Sequence, residues 1–172
     1  HDTLGPFRWT PSNAPDWKLK SAKGDYLSLQ DFKGKPVLLV FYLGYGCAHC
    51  VEQLNVIDPR TKDFTEQGIE IVAISTETLP ELEASLSKSK LLGDLSFPLL
   101  ANDQLDVFKE YRAFDDFENT PLHGTYLIDE DGKIRWQDIS YEPFTDIDFI
   151  LTESKRLLAQ PKAVQVAGTL RN

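Results

Sequence analysis

Val37-Leu38-Leu39-Val40-Phe41-Tyr42 is apolar throughout and bounded by turn residues, which predicts a strand buried on both faces at the centre of a sheet. Ile69 to Ser75 repeats the pattern and predicts the neighbouring buried strand. Between them, from Ala48 to about Gln67, Val51, Leu54, Ile57 and Phe64 recur at roughly helical spacing, with Pro59 bending the helix partway and Gly68 ending it. Leu79 to Leu92, with Glu81, Glu83 and Lys88 on its polar side, reads as an amphipathic helix stopped by Gly93. Strand, helix, strand in this order implies parallel pairing through a right-handed crossover.

The flanks are shorter elements. Trp17-Lys18-Leu19-Lys20 alternates as a strand, residues 22–25 turn it, and Tyr26-Leu27-Ser28-Leu29 returns as the second arm of a hairpin. Gln30 to Gly34 reads as one turn of helix. Phe97-Pro98-Leu99-Leu100 is a short strand, Asn102 or Asp103 caps a helix running through Tyr111, and residues 112–122 read as a loop. Thr125 to Ile128 and Lys133 to Trp136 pair across the turn Asp129-Glu130-Asp131-Gly132, and a last helix runs from Thr145 to about Leu158. Pro6, Pro11 and Pro15 mark an extended arm, taken as residues 1–13 and pinned by Phe7 and Trp9. Residues 14–160 are the single domain, and 161–172 a loosely attached tail.

Composition narrows the function. At 172 residues and 41% hydrophobic content, one globular domain can bury a sizeable core. The net charge of -9, with 27 acidic against 18 basic residues, excludes a nucleic-acid partner, which needs a basic face. No apolar run approaches a membrane span, and His1-Asp2-Thr3 starts no signal peptide. The absence of Met fits either a processed mature form or a domain cut from a larger polypeptide. Cysteine usage leaves the compartment open, and the reading leans to an exported, periplasmic one.

Cys47-Ala48-His49-Cys50 holds all the cysteine in the chain and sits where the buried strand gives way to a helix. Cysteines three positions apart can touch across one helical turn, and the helix N-terminus supplies free N–H groups and a positive dipole end that stabilise a thiolate. A structural zinc site wants about four ligands, and no second ligand pair accompanies His49, His123 and His1. A purely structural disulfide is also a poor reading, because so small a loop constrains the unfolded chain little. Thiol redox chemistry needing no cofactor is the expectation, since two thiols carry two electrons. His49 is a candidate to stabilise the thiolate, or else a solvated residue at the helix start. Tyr42, Tyr45, Gly46 and His123 are expected to line the site, His123 alternatively being a loop histidine without a catalytic role. Glu52, Asp58 and Glu77 read chiefly as solvated surface charges, with a proton-accepting role towards the second cysteine through water as the alternative, and Trp136 reads as a packing residue.

These landmarks, in order, resemble the thioredoxin superfamily and, within it, the peroxiredoxin-like alkyl hydroperoxide reductase/thiol-specific antioxidant (redoxin) family. The resemblance runs from about Ala14 to Leu158. It rests on Ala14-Pro15-Asp16-Trp17 with Phe32-Lys33-Gly34-Lys35-Pro36, on Val40 to Cys50 with Gln53-Leu54, on Ile71-Val72-Ala73-Ile74-Ser75, and on Thr125 to Asp129 with Asp131-Gly132. It implies a thioredoxin-like α/β fold, a central mixed sheet flanked by helices with an N-terminal β-hairpin. It also implies an oxidoreductase cycling Cys47 and Cys50, with a protein thiol reductant, a protein disulfide or a hydroperoxide as partner. The peroxiredoxin pattern Pro-x-x-x-Thr/Ser-x-x-Cys puts Cys50 at the attacking position, Cys47 in place of the Thr and Leu43 in place of the Pro. His123 stands where that family has an Arg, and also departs from the thioredoxin pattern, which has a Pro there. As a disulfide exchanger Cys47 would attack, and as a peroxidase Cys50. The alternative is a non-catalytic redoxin-like sensing or docking module of a larger protein.

Overall fold

The computed structural model describes residues 11–44, 46, 51–88 and 94–160. Its strands are β1 (Ser12–Asn13), β2 (Lys18–Lys20), β3 (Tyr26–Ser28), β4 (Val37–Tyr42), β5 (Glu70–Ser75), β6 (Leu99–Ala101), β7 (Phe114–Asp115), β8 (Thr120–Pro121), β9 (His123–Ile128) and β10 (Lys133–Ser140). Its helices are α1 (Glu52–Ile57), α2 (Thr61–Glu66), α3 (Leu79–Lys88), α4 (Asp106–Glu110) and α5 (Ile147–Leu158). The main sheet has the order β1-β10-β9-β4-β5-β6, with β2 and β3 forming the expected hairpin beside it. The result is the mixed α/β architecture that the resemblance implies.

Strand β4 is central because both faces and both edges are covered. It pairs with β5 in parallel and with β9 antiparallel, and all six of its residues are buried. Alternation splits its side chains between two cores. Leu38, Val40 and Tyr42 pack with Leu54, Phe64, Leu82 and Ile150 from α1, α2, α3 and α5. Val37, Leu39 and Phe41 pack on the other face with Trp17, Val107, Phe108, Tyr111 and Tyr126. Trp136, as expected, packs, its ring 5.2 Å from that of Phe144.

Several boundaries differ from the sequence pattern, each for a local reason. The helix read from Ala48 opens at Glu52, after Val51, and Pro59 divides it into α1, a 3-10 turn at Asp58–Arg60, and α2, since its ring cannot continue the regular hydrogen-bond ladder. Neither Asn102 nor Asp103 starts the next helix. Leu105 adopts a left-handed conformation with φ of 60°, so α4 opens at Asp106, while the Asn102 side chain reaches forward to accept from Val107 N at 3.2 Å. Within residues 112–122, expected to be a loop, β7 and β8 form a small hairpin. Strand β10 continues to Ser140, beyond the predicted end at Trp136, with a register shift between Ile134 and Trp136. Helix α5 begins two residues later than predicted, where Asp146 accepts from Phe149 N at 3.1 Å. Ser12 and Asn13, read as arm, pair with Ile134 and Lys133 at the sheet edge. Phe7, Trp9, Gly93 and the tail lie outside the described residues.

Candidate active site at the carboxyl end of the central strand

The parallel strands β4 and β5 finish together, with Tyr42 opposite Ser75, and the antiparallel β9 begins at the same level. Phe41 pairs with Gly124, so the register brings His123 opposite Tyr42. Period-2 alternation then places Tyr42, Ser75, His123 and Thr125 on the face covered by α1. From α1, Gln53 donates through Nε2 to Thr125 Oγ1 at 2.7 Å, and both side chains are buried. A row of polar groups thus lies where the rest of this face is apolar.

Three atoms in that row, Tyr42 Oη, Gln53 Oε1 and His123 Nδ1, are buried without a hydrogen-bond partner among the described residues. Trp17 Nε1 and Asn55 Oδ1 are in the same state elsewhere, so what sets this region apart is that three such atoms stand together where β4 and β9 meet α1. The chain leaves β4 through Leu43 and Gly44 and returns at Val51, which is buried just before α1. The dithiol segment joins these two ends in sequence. Cys47, His49, Cys50 and Tyr45 themselves lie outside the described residues.

Tyr42 forms the buried floor of this region and has no exposed surface. Burial pushes its phenol well above the usual range, the Ser75 hydroxyl opposing this and the Glu77 charge adding to it. Gly46 is exposed. His123 is only 3% exposed, and burial lowers its pKa from the ordinary 6.5, with Glu142 partly opposing. It is therefore an uncharged imidazole at neutral pH.

The sign of the resulting pH dependence follows from linkage. Below about pH 6.5 the unfolded chain takes up a proton at this histidine that the folded chain resists, so stability falls as pH drops past the unfolded value. The loss is complete once pH is below the lower folded value. We expect His123→Gln to flatten the slope of unfolding free energy as pH falls below about 6.5, measured by urea titration. An unaltered slope would show that His123 titrates alike in both states.

Glu77 overturns its reading as a surface charge, being only 9% exposed. Its Oε1 accepts from Ser75 Oγ at 2.8 Å and its Oε2 from Ser85 Oγ at 2.5 Å. Of the other two carboxylates, Glu52 is exposed and Asp58 accepts from Ser96 N at 3.0 Å. Sequence reasoning gave no role to Gln53, Thr125, Ser75 or Ser85. Phase was the available signal: Ser75 continues the inward series Ile71, Ala73, and Gln53 lies one helical turn before buried Ile57.

The model of the AhpC/TSA family matches residues 11–137. Among relatives, a Mycobacterium tuberculosis protein provisionally named a peroxiredoxin is 30% identical over 134 residues, covering 74% of this chain and 83% of its own. The thiol-disulfide oxidoreductase ResA of Bacillus thuringiensis is 29% identical over 121 residues, covering 70% and 64%. In fold, the chain is similar to AhpC of Enterococcus faecalis, with a TM-score of 0.76, 15% identity and coverage of 87% and 93%. The reduced 2-Cys peroxiredoxin of Plasmodium vivax gives 0.75, with 23% identity and coverage of 84% and 93%.

Proposed function

The chain belongs to the AhpC/TSA family and is a thiol-based oxidoreductase, and from that premise we propose that it works by cycling Cys47 and Cys50 between dithiol and disulfide. In the exchange reaction the Cys47 thiolate attacks one sulfur of a substrate disulfide and expels the other as a thiolate. Cys50, deprotonated, then attacks the Cys47 sulfur of the mixed disulfide and releases the second substrate thiolate. Two electrons leave the enzyme, and a dithiol reductant returns them. His49 stabilises the attacking thiolate, while Tyr42, Tyr45, Gly46 and His123 surround the pair.

The observation that carries this reading is the Cys-x-x-Cys spacing on a segment whose two flanks border a buried polar face. A protein disulfide is favoured over a peroxide as substrate by His123. A buried neutral imidazole offers no fixed positive charge to polarise an O–O bond, whereas disulfide exchange asks only for a good attacking thiolate and leaving group. The peroxide reaction balances differently: Cys50 attacks, an alcohol or water leaves, and Cys47 resolves the sulfenic acid with loss of water.

Stopped-flow oxidation of the reduced protein, followed by tryptophan fluorescence, separates the two. Oxidation by a protein disulfide is expected to outrun oxidation by hydrogen peroxide at equal concentration. Faster reaction with peroxide, together with a sulfenic acid at Cys50, would reverse the assignment of both substrate and attacking cysteine. No helix of the described residues is long and apolar enough to cross a membrane.

A further inference from the structure

The hairpin β7–β8 carries an exposed aromatic side chain at its tip. Phe117 there is 94% exposed, and Tyr141, just past the end of β10, is 61% exposed. Single exposed aromatics need no explanation, but these two are held by one side chain. Asp115 Oδ1 accepts from Phe117 N at 2.9 Å and from Glu118 N at 3.0 Å, and its Oδ2 accepts from Tyr141 Oη. The root of the hairpin is fixed as well, Leu122 N donating to Ala113 O at 2.9 Å and Lys109 Nζ lying 4.8 Å from the centre of the Phe114 ring. Asn119 closes the tip with φ of 55°. A partner that covers the two aromatics therefore loses little of its binding to ordering this surface.

The place and the charge of the patch point to its occupant. Pro121 ends β8 two residues before His123, and Tyr141 follows Ser140, which pairs with His123. Both aromatics thus belong to the end of the sheet that carries the candidate site. Asp116, Glu118 and Glu142 stand exposed among them, and no Lys or Arg occurs in residues 113–132 or 137–154. A second copy of this chain docking face to face would set acid against acid, and an anionic lipid surface would be repelled likewise. A polypeptide segment with Lys or Arg beside an apolar side chain fits both features, the apolar group covering the rings and the cation meeting a carboxylate or a ring face.

Resting on the protein-disulfide reading above, we propose that the β7–β8 tip and Tyr141 form a docking surface for a basic, extended segment of the substrate protein, with Phe117 as its central contact. The surface selects which disulfide proteins are held at this end of the sheet. The net charge of -9 draws the same partners from longer range.

The test uses two fluorescent disulfide peptides, identical except for lysines in one and glutamates in the other. Binding is read by anisotropy, and reduction of the peptide disulfide is followed separately. The parent is expected to bind the lysine peptide about tenfold more tightly than the glutamate peptide. Phe117→Ser should weaken binding of the lysine peptide about tenfold, as for an aromatic contact at an interface centre, and raise KM for its reduction with kcat unchanged. Asp116→Lys combined with Glu118→Lys should remove most of the preference between the peptides. All three positions are exposed, so the thermal midpoint of each variant should stay at the parent value. Equal binding of the two peptides by the parent, or unchanged binding in Phe117→Ser, would overturn the proposal, and reduction of both peptides alongside it would leave the protein-disulfide reading intact. A parent dimer that Phe117→Ser dissociates would assign the face to a second copy and overturn the proposal too. Binding of the lysine peptide that depends on Phe117, with neither peptide disulfide reduced, would support the docking surface and overturn the protein-disulfide reading instead.

Discussion

Cys50→Ser is expected to accumulate a mixed disulfide with a protein substrate, Cys47→Ser to trap none, and each to lower turnover by about a thousandfold or more. The asymmetry follows from the exchange reaction proposed above, in which Cys47 attacks the substrate disulfide and Cys50 resolves the mixed disulfide. Without Cys50 the mixed disulfide has no internal thiol to attack it, and it persists until an external thiol arrives. Non-reducing electrophoresis after incubation with an oxidised protein substrate reads the adduct directly. Trapping only in Cys47→Ser would make Cys50 the attacking residue, and full activity in both variants would remove the dithiol from the mechanism.

The parts of this molecule that were legible in its sequence are those in which one periodicity dominates. Val37–Tyr42 and Ile71–Ser75 are buried on both faces, which favours apolar or small residues there, and their placement and parallel pairing followed from the pattern. The N-terminal hairpin was equally plain, because Lys18–Lys20 and Tyr26–Ser28 alternate across a short turn. The boundaries around Asn102 were not legible. A left-handed Leu105 has no propensity signature, since only its surroundings hold it there. The hairpin β7–β8 is two residues per strand, too short for alternation to register.

The candidate site divides in the same way. The dithiol motif could be read from spacing alone. The polar row at the strand ends could not, because a serine, threonine, glutamine or glutamate is ordinarily a surface residue and its composition says nothing of burial. Only register shows that Ser75 ends an inward series, and only the tertiary packing of α3 brings Ser85 onto Glu77. Glu77 looked like a surface charge for that reason. Sequence periodicity finds layers, whereas the chemistry of this site depends on which polar residues interrupt a layer at the level of the motif.

Phe41→Ala is expected to cost about 3–5 kcal/mol of unfolding free energy. The ring has no exposed surface and stands at the centre of an aromatic cluster, 4.8 Å from Phe108, 5.2 Å from Tyr111 and 5.5 Å from Tyr126. Two of these neighbours are fixed by their own hydrogen bonds, Tyr126 Oη donating to Tyr111 O at 2.6 Å and Tyr111 Oη donating to Pro15 O at 2.5 Å. They cannot swing inward without breaking those bonds, so the cavity stays open, and an unrelaxed cavity is the costly kind. Against a total stability of about 5–15 kcal/mol, the variant would lie close to unfolding. Phe41→Leu, which retains most of the volume, should lose roughly 1–1.5 kcal/mol. Urea titration with an unchanged slope and a lowered midpoint reads both. A loss below about 1 kcal/mol for the alanine variant would mean that the cluster collapses into the space after all. Phe41 faces away from α1, so the fraction of the variant that remains folded should keep the parent reduction potential. A potential that moved with Phe41 would instead show that the aromatic core on the far side of the sheet helps set the geometry of the dithiol.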